Sequence, residues 1–175
     1  MALNNFRITR VAPDQADALL DFSRTTFFDF FGPVNEPANM DAYAAVAFTP
    51  EKMLSELTNP DSAFYFATLD GEIAGYLKLN YNNAQTEFRD SNALEVERIY
   101  VSRQYHKKNI GKELLHFATN KAIENNFEYI WLGVWEHNHN AIGFYQHHGF
   151  EIFSSHEFML GDDRQTDLLM KKILK

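Results

Sequence analysis

The chain of 175 residues contains no cysteine, which excludes disulfides, thiolate metal sites and a cysteine nucleophile. Long apolar runs are missing too. The longest, Ala42 to Phe48, spans seven residues, against about 20 for a membrane-spanning helix. Arg7 and Arg10 follow a polar start with no secretory apolar stretch behind them. These absences lead us to expect a soluble, cytoplasmic protein without membrane contact. Positive charge is scarce, with 16 Lys and Arg against 24 Asp and Glu, a formal charge of −8. Sequence-independent binding to nucleic acid needs a basic face, so no nucleic-acid partner is expected. Aromatics are plentiful at 15%, with sixteen Phe. At this length one domain, residues 1–175, can bury a full core.

The charge is uneven. Residues 1–92 hold six basic and thirteen acidic side chains, a balance of −7. Residues 93–112 reverse it to +3, through Arg98, Arg103, Lys107, Lys108 and Lys112 against two glutamates. Residues 113–175 return to −4. A positive island on an acidic protein marks where an anionic ligand is sought.

No repeat or low-complexity tract interrupts the chain. Phe6 to Val11 alternates as a strand. A helix opens at Pro13-Asp14, with Leu19, Phe22, Phe27 and Phe30/Phe31 at helical spacing, and closes at Gly32-Pro33. Residues 32–48 read as irregular. Thr49-Pro50 combines a side-chain cap with proline at the first helical position, and that helix runs to about Asn59-Pro60. Ala63–Leu69 and Glu72–Asn80 form a hairpin around Asp70-Gly71, whose residues tolerate the positive φ of a tight turn. Ala93–Val101 and Tyr129–Val134 read as strands. Ile110–Glu124 reads as an amphipathic helix offering Leu114, Leu115, Phe117, Ala118 and Ile123 to the core. Asn140–His148 is a short helix ended by Gly149. Two last strands, Phe150–Leu160 and Thr166–Leu174, join at Gly161-Asp162-Asp163. The order predicts an α/β fold, a mixed sheet with helices on both faces.

The most informative stretch is the strand Leu94 to Val101, the basic loop Ser102 to Asn109, and the helix beginning Ile110-Gly111-Lys112. Free N–H groups at a helix start, with the dipole behind them, form an anion site. Neither a P-loop nor a dinucleotide-binding glycine fingerprint is present. His106-Lys107-Lys108-Asn109-Ile110-Gly111 resembles the [Q/R]-x-x-G-x-[G/A] acyl-CoA motif of the GNAT superfamily of acetyl-CoA-dependent N-acetyltransferases. A second segment is similar as well: Trp131-Leu132-Gly133-Val134, then Asn138-His139-Asn140-Ala141, Phe144-Tyr145 and Gly149-Phe150. Asn109 stands where the motif has its first glycine, and asparagine is the side chain that best tolerates positive φ. His106 replaces Gln or Arg. The segment Phe158 to Met170 further resembles spermidine/spermine N-acetyltransferases of the PaiA type.

The resemblance implies a single GNAT domain with a splayed sheet of about seven strands and acetyl-CoA as co-substrate. It implies that the backbone of Ile99, Tyr100 and Val101 pairs with pantetheine. Residues His106, Lys107, Lys108, Asn109, Ile110, Gly111 and Lys112 would hold the phosphates, with Asn138 on the cofactor side of the cleft. Acetyl transfer to an amine needs a base, since an ammonium ordinarily titrates near 10.4, and a proton for the departing thiolate. By resemblance Tyr145 gives that proton. Glu95 and Glu97 lie on the strand feeding the loop, where alternation puts both on one face with Ile99 and Val101. Glu97 is the first candidate base and Glu95 the second; either could instead form a structural salt bridge. Asp29, Glu36, Asp41 and Tyr43 could hold a polycation, so the acceptor expected is a small-molecule amine such as a polyamine. The alternatives are a peptide α-amine, an amino acid or an aminoglycoside, or a non-catalytic acyl-CoA-binding module. A homodimer through the C-terminal strands stays open. No metal is expected: His137/His139 and His147/His148 lack an H-E-x-x-H pattern.

Overall fold

The computed structural model describes residues 5–175. Seven strands form one sheet: β1 (Phe6–Arg10), β2 (Ser62–Leu69), β3 (Glu72–Asn80), β4 (Ala93–Val101), β5 (Tyr129–Trp135), β6 (Glu151–Leu160) and β7 (Asp163–Ile173). Their spatial order is β1-β2-β3-β4-β5-β7-β6. Within the described residues β4 and β5 run parallel, and the other neighbouring pairs are antiparallel. The β2–β3 turn is built as its sequence predicts, with Asp70 at φ 53° and Gly71 at φ 89°.

The feature that creates the site is a short pairing. β4 and β5 are joined only from Ala93↔Tyr129 to Val96↔Leu132. Beyond it Glu97–Val101 and Gly133–Trp135 have no ladder between them, so the sheet splays at this seam. Helix α4 (Ile110–Glu124) bridges the two strands. It packs Ile110, Leu114, Leu115, Ala118 and Ala122 on Leu94, Val96 and Leu132. Ile123, expected in the core, is 54% exposed, since it sits about 100° around the helix from Ala122. The opposite face carries α1 (Ala16–Phe31) and α3 (Pro50–Thr58), which cover Phe64, Phe66 and Tyr76 with Leu19 and Met53. The Thr49 hydroxyl caps α3 by accepting from the Lys52 amide at 3.2 Å.

The irregular reading of residues 32–48 needs correction. A helix, α2 (Pro37–Ala47), follows extended Glu36 with proline in its first turn. Met40 and Ala44 are buried while Val46 is 71% exposed. With apolar residues on every side there is no helical stripe to detect.

Candidate active site

Loop residues 102–109 turn tightly after β4, with the Tyr105 amide donating to the Ser102 carbonyl and the His106 amide to the Arg103 carbonyl. Lys107 and Asn109 adopt left-handed φ of 65° and 62°. Asn109 takes this conformation directly before α4, so the glycine of the motif is replaced without losing its geometry. The free amides of the first α4 turn face a cavity of about 950 Å³ in the splay between β4 and β5. Ile99, Tyr100, Val101, His106, Lys107, Asn109, Ile110, Gly111, Lys112 and Asn138 line it. The structure brings these predicted residues together. Lys108 is not among the lining residues; its ammonium lies 5.1 Å above the Tyr105 ring. His106 Nε2 lies 3.0 Å from the Val101 carbonyl oxygen, tying the loop back to its strand. The Asn138 Oδ1 accepts from the Ala141 amide at 3.1 Å and so caps α5 (His139–His147).

Tyr145 sits on α5, lines the cavity and is 8% exposed. Its ring lies 5.4 Å from that of Phe144 and 5.9 Å from that of Phe150. Burial pushes its phenol well above the ordinary value, so it stays protonated as a donor.

The two β4 glutamates are close but not as alternation predicts. The β3–β4 register jumps from Lys78↔Arg98 to Leu79↔Val96, leaving Glu97 as the extra residue of a β-bulge. The bulge reverses the facing of the residues after it. Ile99 and Val101 join Leu94 and Val96 on the α4 side. Glu95 and Glu97 instead converge with Lys78 and Asn80, on the side of Phe64 and Tyr76.

There the charges sort themselves. Lys78 Nζ lies 2.5 Å from Glu97 and 3.1 Å from Glu56 of α3, and Arg98 reaches the same two carboxylates at 3.1 Å each. Two cations thus balance two anions. Burial alone would push Glu97 up, but Arg98 and Lys78 outweigh it and hold the carboxyl at about 2. Glu95, 2% exposed, pairs with no Lys or Arg among the described residues. It accepts from the Asn80 amide at 3.0 Å, the Thr86 amide at 2.9 Å and the Thr86 hydroxyl at 2.5 Å. Burial pushes its carboxyl above the usual range, only partly offset by these bonds, and the charge of Glu97 adds to the rise.

Of the residues expected to hold a polycation, Asp29 and Tyr43 line the cavity. Glu36 and Asp41 do not: both are exposed, and Glu36 borders a separate groove with Asp162 and Asp163. Helix α2, which begins just after Glu36 and carries Asp41, turns its Tyr43 and Ala47 edge to the site. In their place the cavity receives Glu87, His156, Gln165 and Asp167, which sequence reasoning missed. Lys78 and Asn80 were also missed, although two polar residues two apart beside Tyr76 in an apolar strand are a readable sign of a polar site. Phe27, Phe31, Phe48, Trp135 and Phe158 form the aromatic wall. Among the described residues no cluster of His, Asp or Glu could hold a metal, and no helix is long and apolar enough to cross a membrane.

The comparisons with known proteins agree with this geometry. The acetyltransferase (GNAT) family model matches residues 19–150. An uncharacterized N-acetyltransferase of Lactobacillus delbrueckii subsp. lactis is 44% identical over 172 residues, 98% of this chain and 99% of the relative. A spermidine N(1)-acetyltransferase of Thermoplasma acidophilum is 22% identical, over 96% of this chain and 97% of the relative. Among solved structures, the PaiA N-acetyltransferase of T. acidophilum in complex with coenzyme A superposes with a TM-score of 0.78. It is 21% identical, over 99% of this chain and all of that one.

Proposed function

The chain belongs to the GNAT acetyltransferase family and is an N-acetyltransferase, and from that premise we propose that it acetylates a polyamine. The observation that carries this reading is the cavity itself. The loop residues with Lys107 and Lys112 line it, and so do aromatic rings and the carboxylates Glu95, Asp29, Glu87 and Asp167. The basic helix-opening loop suits an anionic cofactor, and the carboxylates with the aromatic rings suit a cationic chain. The name of the T. acidophilum relative points the same way.

The residues present fit acetyl-CoA. Open backbone amides at the α4 start, two lysines and the unpaired ends of β4 and β5 form a cradle for phosphates and an extended pantetheine arm. When bound, it supplies an acetyl group activated as a thioester. Glu95 takes the proton of the incoming ammonium, since its raised pKa makes it the stronger base. Glu97, neutralised by Lys78 and Arg98, positions that machinery instead. This reverses the order of the two candidates set by strand position alone. Tyr145 then gives its proton to the departing sulfur.

Steady-state CoA release over a panel of amines tests the reading. Saturable turnover of spermidine or spermine is the expected outcome. Turnover confined to peptide α-amines, amino acids or aminoglycosides would overturn the polyamine assignment. Acetyl-CoA binding without turnover of any amine would point to a non-catalytic module.

A further inference from the structure

We propose that Asp167 and the Trp135 ring form a second cation subsite in this cavity, one that binds the acceptor's non-reacting ammonium. The proposal rests on the amine-acetylating reading above and adds to it where the second charge of the acceptor sits.

Asp167 lies on β7 directly across from Trp135 on β5 and from His156 on β6. Its carboxylate lies over Gly133: a Cβ built there would meet Oδ2 at 3.7 Å, an ordinary van der Waals contact. Among the described residues no Lys or Arg pairs with it, in contrast to Glu97, which has two cations. The base opposite it is His156, and His156 already faces Glu87 with Nδ1 3.4 Å from Oε1. The His156 ring thus has Glu87 as its ion-pair partner, and Asp167 is only its cross-strand neighbour. A half-buried carboxylate that no Lys or Arg pairs gains from a cation arriving from outside. Consistent with that deficit, burial pushes the Asp167 carboxyl above the usual range.

The wall beside it suits the same ligand. Trp135 and Phe31 have ring centroids 6.2 Å apart, and Phe31 continues through Phe27 to Tyr43. Such rings cover methylenes and attract an ammonium by cation–π contact. Glu95 is opposite Trp131, two residues before Gly133 on β5, roughly 7 Å along the strand. A reacting nitrogen at Glu95 and a charged one over Gly133 thus fit the two ends of a short alkyl diamine or one arm of a polyamine.

The test compares kcat/KM for n-butylamine, 1,4-diaminobutane and spermidine in the wild-type protein and in Asp167→Asn, with acetyl-CoA binding as a check on folding. Wild type is expected to favour 1,4-diaminobutane over n-butylamine by tenfold or more. Asp167→Asn should bring the two within about threefold, mainly by raising KM for the diamine. A wild type that does not distinguish the two amines overturns the subsite. So does a variant that loses activity on both while keeping their ratio. Absence of turnover on every amine by wild type overturns instead the acetylation reading on which the subsite depends.

Discussion

Asn80 donates to Glu95 at 3.0 Å through the same side-chain nitrogen that reaches Glu97 at 2.6 Å. The Ser62 hydroxyl donates to its Oδ1 at 3.0 Å and fixes which way the amide points. Asn80 is fully buried, so this one group spans the paired carboxylate and the unpaired one. It stabilises charge on Glu95 where no cation does.

Removing it should therefore move a titration as well as lower a rate. A hydrogen bond to a charged group contributes about 1.5–3 kcal/mol, and about 1.4 kcal/mol corresponds to one pKa unit. Asn80→Ala is expected to shift the acidic limb of the kcat/KM–pH profile upward by about one unit. A loss of structure alone would scale the whole profile down without displacing it.

Glu95 and Glu97 should respond differently to the same isosteric change. Glu95→Gln removes the base and should lower kcat by about 10²–10⁴-fold with little change in melting temperature. Glu97→Gln leaves Lys78 and Arg98 facing Glu56 alone, and breaking a buried pair costs about 3–5 kcal/mol. Its main effect is expected in thermal unfolding. Equal kcat losses with equal stability losses would contradict this division of labour.

How much of this was legible in the sequence depends on how local the signal is. The Asp70-Gly71 turn, the Thr49-Pro50 cap and the strand–loop–helix around Asn109 are set by neighbouring residues, and all were readable. α2 was not, because its apolar positions make no stripe and its stability comes from packing Met40 with Phe27 and Leu160. The bulge at Glu97 was hidden too, since it belongs to the register with β3 rather than to β4 itself. That single inserted residue separates Glu95 and Glu97 from the face of Ile99 and Val101. Asp167 was missed for a similar reason: its proximity to Gly133 exists only once β7 inserts between β5 and β6.

Tyr145 offers a cleaner probe of the second half of the reaction. Tyr145→Phe keeps the ring that packs between Phe144 and Phe150 and removes only the phenolic proton. Turnover should fall by tenfold or more, within the range of one lost acid–base contribution, while the acetyl-CoA dissociation constant changes by less than about threefold. Binding titrations and steady-state rates on the same preparation check this. Unchanged turnover would remove Tyr145 from the chemistry.

Acid stability should carry the signature of the paired carboxylate. Glu97 is held at about 2 in the folded chain against an ordinary value of 4.5. A depressed carboxyl stabilises the fold above its unfolded pKa, and that contribution disappears as pH drops from there through about 2. Glu95 has the opposite sign. Its raised carboxyl favours the folded state when protonated, so its penalty is relieved at a higher pH, before Glu97 begins to titrate. Urea midpoints between pH 7 and pH 2.5 are thus expected to fall most steeply below about 4.5. In Glu97→Gln that steep fall should flatten, because the strongly depressed carboxyl is no longer there to take up the proton. A variant with the wild-type slope would show that the acid sensitivity resides elsewhere.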